Sequence, residues 1–149
     1  IIVKVNLIMK TSTGAMNGTV LITGGARRIG RMIACDLANH GWRVIVHYNR
    51  SEMDARNLVK RIKETGGEAL AVAADLLKED EVNEIMEIAA REVGPVTCLI
   101  NNASVFEEDT PMTQCRKTWD RHMEVNLRAP FILSQKLVNQ IPEGEKVIL

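Results

Sequence analysis

Apolar residues along this chain come in short β-branched runs that alternate with segments of helical period. Val20-Leu21-Ile22 reads as a buried strand ending in Thr23-Gly24-Gly25, and Ile29, Met32, Ile33 and Leu37 then fall on one helical face, stopped by Asn39-His40-Gly41. Residues 43–48 form a second strand. Ser51 and Asp54 make an S-x-x-D capping signal before Ala55, Leu58, Val59 and Ile62, and Gly66-Gly67 closes that helix. A third strand spans 69–74, followed by a helix with Val82, Ile85, Met86, Ala89 and Val93 on its buried side, broken at Gly94-Pro95. A fourth strand at 96–100, a polar loop at 101–111, one long helix over 114–140 and a fifth strand at 146–149 complete the pattern.

Strands and helices alternating through such short links predict a Rossmann-type α/β fold: a doubly wound parallel sheet in a three-layer α/β/α sandwich, truncated after the fifth strand. A strand without a following helix leaves one sheet face partly covered, so the chain is expected to be part of a longer protein. Residues 1–15 read as an N-terminal extension and 16–149 as one incomplete domain whose catalytic second half is absent. No internal repeat, low-complexity tract or linker interrupts the march.

Composition removes several classes of function. The 149 residues are 46% hydrophobic and 26% charged, with 19 basic against 19 acidic side chains, so no net field favours nucleic acid or an anionic membrane. The apolar runs fall far short of the roughly 20 residues that cross a bilayer. Cys35, Cys98 and Cys115 have neither C-x-x-C spacing nor a histidine pair nearby, which predicts no metal, no disulfide framework and a reducing, cytoplasmic setting. His40 fits a helix end, and His122 lies on the long helix without a metal-spaced partner. Trp42 and Trp119 are expected to pack, Glu107-Glu108-Asp109 reads as a solvated face, and no Ser-His-Asp set can be assembled.

The turn Thr23-Gly24-Gly25-Ala26-Arg27-Arg28-Ile29-Gly30 joins a buried strand to a helix N-terminus, where unpaired N–H groups and the positive dipole end suit a pyrophosphate. An NAD site places a carboxylate about 20 residues beyond such a turn to hold the ribose 2′-OH. Here that place reads His47-Tyr48-Asn49-Arg50-Ser51, and no carboxylate precedes Glu52. Arg50 and the Ser51 hydroxyl are suited to a 2′-phosphate, so NADP(H) is the expected cofactor. The bland alternative is a solvated arginine beside a helix cap. Asp75, at the end of the third strand in Ala74-Asp75-Leu76, lies either along the ligand crevice or at a helix cap.

The spacing T-G-x-x-x-R-x-G, with Asn101-Asn102-Ala103-Ser104 after the fourth strand, resembles the short-chain dehydrogenase/reductase family over its first half. Arg28 in place of the usual middle glycine, and Ser104 in place of the glycine after Asn-Asn-Ala, look like its pteridine reductase branch. The resemblance implies cofactor contacts at Gly24, Arg27, Arg28, Ile29, Gly30, His47, Tyr48, Asn49, Arg50, Ser51, Asp75, Leu76, Asn102, Ala103 and Ser104. It also implies that Asp75 meets the adenine amino group and that Asn126 is catalytic. By the same resemblance Phe106 is expected to stack on a pterin with the Ser104 hydroxyl as a hydrogen-bond partner, the alternative being that Phe106 is a loop anchor tucked into the core. The family's catalytic serine and Tyr-x-x-x-Lys are not among these residues; Tyr48, the sole tyrosine, has Glu52 four positions on. The chain alone is therefore expected to be inactive.

Pro130 has no N–H, so the Asn126 carbonyl must find a partner other than its helical one. A water relay and a plain helix kink are both open. The expected function is NADPH-dependent hydride transfer to a pterin-like or other carbonyl or imine small molecule, with no nucleic-acid or membrane partner. A 3-oxoacyl or general carbonyl reductase, and a non-catalytic NADP(H)-binding module, stand as alternatives. The long helix resembles one that family members pair across subunits, which implies a homo-oligomer, dimer or tetramer.

Overall fold

The computed structural model describes residues 17–140. Strands β1 (Thr19–Ile22), β2 (Arg43–Tyr48), β3 (Ala69–Ala73) and β4 (Cys98–Ile100) form one parallel sheet in the order β3-β2-β1-β4. Helices α1 (Arg28–Asn39), α2 (Glu52–Glu64) and α3 (Glu79–Glu92) are the crossovers between them. Beyond β4 a loop leads into α4 (Arg116–Met123), a π turn (Glu124–Arg128) and α5 (Ala129–Asn139). The expected fifth strand at 146–149 and the extension at 1–15 lie outside the described residues.

Strand periodicity divides the core into two layers. Val20, Ile22, Val44, Val46 and Cys98 pack with Ala34, Leu37, Ala55, Leu58 and Ile62 of α1 and α2, while Leu21, Ile45, Val72 and Leu99 pack with Ile85, Met86, Leu133 and Leu137 of α3 and α5. This is the Rossmann-type sandwich that the alternation predicts. Strand order reverses beside β1, because the chain steps outward through β2 and β3 and then crosses to β4 on the other side. A doubly wound sheet opens its ligand crevice at that point, outside the carboxyl ends of its strands. Thr23 and Asn101-Asn102 stand there.

Three local expectations are corrected. The sheet-facing side of α1 is Gly30, Ala34 and Leu37, while Ile29 and Met32 are 68% and 73% exposed. The glycine turn presses the first turn of α1 so close to the sheet that only small residues fit beneath it, which rotates the larger pair outward. The helix expected over 114–140 starts at Arg116 and carries a π turn, in which the Ala129 N–H donates to the Glu124 carbonyl five residues back. That wider turn falls where Pro130 cannot supply a regular bond. Trp119 is 51% exposed, whereas Trp42 is buried as expected.

Candidate functional site

Thr23 sets the geometry of the glycine turn. Its hydroxyl accepts from the Asn102 and Ala103 N–H groups, both at 3.0 Å, and its own N–H donates to the Ile100 carbonyl at 3.0 Å. The Asn102 side chain donates to the Thr23 and Gly24 carbonyls at 2.8 and 3.2 Å, so its amide is spent on stitching the β4 loop to the turn. A Cβ on Gly30 would lie 2.5 Å from the Gly24 carbonyl oxygen and 2.7 Å from Asn102 Nδ2. Only glycine permits that approach.

The N-terminus of α1 has no acidic residue in its first turn and no side-chain cap on Arg27. Its free N–H groups and dipole end therefore face the crevice without an internal anion, the arrangement that takes a phosphate. Arg28 sits at φ 49°, the one positive-φ residue other than glycine among those described. That left-handed conformation costs an L-residue about 1–2 kcal/mol. Arg27, Arg28, Ile29 and Gly30 line this crevice from the turn, opposite Asn102, Ala103 and Ser104.

A second hollow continues past the end of β2. Arg27, Tyr48, Asn49, Arg50, Ser51 and Asp75 line it. Ser51 occupies the N-cap position of α2 but makes no side-chain cap bond, which corrects the S-x-x-D capping expectation and leaves its hydroxyl uncommitted. Glu52 is turned to Arg56, with oxygen-to-nitrogen distances of 2.7 and 2.9 Å. Arg27 leans on Asp54 at 3.5 Å, and both are substantially exposed. Arg50 is exposed and forms no ion pair with another described residue. The hollow thus presents a cation and a hydroxyl with no carboxylate of its own aimed at them from β2.

Asp75 is held by two donors on one oxygen, Asn49 Nδ2 at 3.2 Å and the Leu77 N–H at 3.1 Å, and its own N–H donates to Glu81 at 2.6 Å. The N-cap position of α3 is Lys78, so Asp75 is not that helix's cap. Leu76 is buried beneath it and Leu77 is exposed beside it. Hydrogen bonds from Lys78 first, then from the Asp75 N–H, hold the Glu81 carboxyl below its ordinary pKa. His47 lies lower still, buried under the turn with both ring nitrogens engaged.

Asn126, inside the π turn, grips the loop after β4 with both ends of its amide. Its Oδ1 accepts from the Val105 N–H and its Nδ2 donates to the Val105 carbonyl, each at 2.8 Å. Val105 is flanked by Ser104 and Phe106, so the clamp fixes the backbone between the two residues that the resemblance turns toward substrate. Phe106 is 86% exposed, which removes the core-anchor alternative.

Two side chains at this site had no signal in the sequence. Arg121 borders both the hollow at β2 and the cavity under Asp75, and it pairs with Glu107 at 2.7 Å. His122 Nε2 accepts from the Glu107 N–H at 2.9 Å while its Nδ1–H donates to the Thr118 carbonyl at 2.8 Å. Glu107 is therefore a fastened residue, not part of a solvated face. The Glu107–His122 contact spans 15 residues, outside any helical or strand period, so only the fold shows the pairing.

A family model described as short chain dehydrogenase matches residues 18–147. The 3-oxoacyl-[acyl-carrier-protein] reductase FabG of Staphylococcus epidermidis is 36% identical over 126 residues, covering 85% of this chain and 52% of the relative. Hydroxynaphthalene reductase-like protein Arp2 of Metarhizium brunneum is 33% identical over 131 residues, covering 87% of this chain and 48% of the relative. Among solved structures, FolM alternative dihydrofolate reductase 1 from Brucella canis, complexed with NADP, superposes with a TM-score of 0.84 at 41% identity, covering 88% of this chain and 52% of that one. A blue fluorescent protein from a metagenomic library, in complex with NADPH, gives 0.82 at 31% identity, covering 87% and 53%. The chain spans about half the length of the curated relatives it matches.

Proposed function

The chain belongs to the short chain dehydrogenase family, and from that premise we propose that it forms the NADP(H)-binding part of a short-chain oxidoreductase acting on a pterin-like or other carbonyl or imine compound. The observation that carries the cofactor choice is the end of β2, where Arg50 and an uncommitted Ser51 hydroxyl face the hollow and the first carboxylate, Glu52, is turned to Arg56. A 2′-phosphate gains charge-assisted hydrogen bonds there, while a bare ribose finds no carboxylate to accept from its 2′-OH. The solved NADP and NADPH complexes of similar proteins support the same choice. Fluorescence titration of the protein with NADPH and NADH tests it. NADPH binds more tightly, and equal affinities remove the assignment.

Within this reading the uncapped start of α1 and the N–H groups and side chains of Arg27 to Gly30 hold the pyrophosphate, and strain at Arg28 is the cost of placing a cation there. Tyr48, Asn49, Asp75 and Leu76 wall the adenosine, and Ala103 and Ser104 face the nicotinamide side. The cofactor supplies hydride. Asn126 acts by clamping Val105, and with it Ser104 and Phe106. Tyr48 has Glu52 four positions on, so we assign no tyrosine–lysine acid–base pair within these residues and no turnover to them alone.

A pterin is the favoured substrate because an exposed phenylalanine beside a hydroxyl suits a flat, hydrogen-bonding heterocycle, and FolM from Brucella canis shares 41% identity. In the whole protein, Phe106→Ala lowers kcat/KM for a dihydropterin about 2–10-fold more than for a small acyclic ketone, the worth of one aromatic contact. A uniform fall for both points instead to a general carbonyl reductase. No described helix is long and apolar enough to cross a membrane. A cytoplasmic setting and a homo-oligomer remain part of the proposal, the latter supported by exposed Trp119, Leu127 and Phe131 along the α4–α5 run.

A further inference from the structure

His47 is the one histidine buried among the described residues, at 1% exposure, and each of its polar atoms reaches a different part of the crevice wall. Nδ1 accepts from the Gly24 N–H at 3.0 Å, and the backbone carbonyl of the same residue accepts from the Gly25 N–H at 3.0 Å. Nε2 lies 3.1 Å from the Ala74 carbonyl, which can only accept, so the ring is neutral with its proton on Nε2. Ala74 immediately precedes Asp75. One imidazole therefore spans the first glycine of the phosphate-binding turn and the strand end that carries the adenine-side carboxylate.

We propose that His47 is a positioning residue for the dinucleotide: through Nδ1 it holds Gly24 in the shape that takes the pyrophosphate, and only the neutral ring can do so. The proposal rests on the dinucleotide reading above and deepens it. A proton on Nδ1 would set two donors against each other at the Gly24 contact, and the turn must then move. Charged groups near the ring are few. Asp75, at the end of β3, and Arg121, from α4, line the cavity beside it, and Arg121 is paired with Glu107. Burial, the largest influence, lowers the ring pKa below its ordinary 6.5, against smaller upward pulls from the Ala74 carbonyl and from Asp75. At pH values below 6.5 the unfolded chain then binds more protons than the folded one. Stability from the neutral ring is full above that value and is lost as pH falls toward the folded pKa.

Two substitutions separate the two ends of the ring. His47→Asn keeps an acceptor near the Nδ1 position and loses the Ala74 contact, whereas His47→Gln keeps a donor near Nε2 and loses the acceptor for Gly24. The expected result is an NADPH Kd raised about tenfold in the Gln variant and within about threefold of wild type in the Asn variant, the worth of one buried hydrogen bond. Protonation of the ring falls below its ordinary 6.5, so any loss of affinity that the ring causes begins below that pH, and the Asn variant lacks it. Both proteins meet the same titration of the ligand's 2′-phosphate, so the ratio of their affinities isolates the ring. Equal affinities for the Asn and Gln variants overturn the assignment; no NADPH binding by wild type overturns the dinucleotide reading itself. If the variants do not fold, ¹⁵N NMR of the wild-type ring decides, with an Nε2–H tautomer expected and an Nδ1–H tautomer overturning the proposal.

Discussion

Replacing Arg50 with aspartate is expected to raise the Kd for NADPH by about 30-fold or more while changing that for NADH by less than about threefold. Arg50 is exposed at the end of β2 and has no ion-pair partner among the described residues, so its removal leaves no buried charge behind. The effect falls on the ligand. A hydrogen bond to a charged group is worth about 1.5–3 kcal/mol, and the substituted carboxylate adds like-charge repulsion against the 2′-phosphate. NADH has no such phosphate, and aspartate offers its ribose an acceptor. Raising the salt concentration should narrow the NADPH preference of wild type, because the contact is solvent-facing. Fluorescence titration of both cofactors at two ionic strengths measures all four quantities. Equal weakening of the two cofactors would place Arg50 outside the 2′-phosphate site.

The parts of this structure legible in the sequence are those governed by local pattern. Strands β1 and β2 follow β-branched runs and β3 a short apolar run, and α2 and α3 bury Ala55, Leu58 and Ile62, and Val82, Ile85, Met86 and Ala89, as their spacing requires. The glycine turn was readable too, since a strand, a glycine pair and a helix start stand in immediate succession. What failed was decided by contacts across the fold. Ile29 and Met32 had the right period for burial, yet the close approach of α1 to the sheet turned that side over to Gly30 and Ala34. The ring of His47 lines the cavity beside Asp75 yet is buried against the Gly24 N–H and the Ala74 carbonyl, contacts that no local pattern encodes. Glu107 looked like one of three adjacent solvated acids. Its partners Arg121 and His122 are brought to it by the return of α4 over the loop, which no local pattern encodes.

The same tension between local and global rules gives the second large effect, at Gly30. By helix propensity alone, alanine in place of a helical glycine stabilises by up to about 1 kcal/mol. Here the sign reverses. The added Cβ would lie 2.5 Å from the Gly24 carbonyl oxygen, 2.7 Å from Asn102 Nδ2 and 2.9 Å from Gly25 Cα. Two of those three atoms are backbone, so no rotamer change relieves the contact, and the third is the amide that ties the β4 loop to the turn. Overpacking of this kind costs about 1–3 kcal/mol, and each displaced Asn102 hydrogen bond about 1 kcal/mol more, which outweighs the propensity gain. Gly30→Ala is therefore expected to destabilise the protein by about 1–4 kcal/mol and to weaken NADPH binding more than Arg50→Asp does, because α1 and the turn must separate. Denaturant unfolding and NADPH titration on the same preparation check both halves. An alanine variant as stable as wild type would show that α1 stands further from the turn than these distances state, and the tight cradle assigned to the pyrophosphate would go with it.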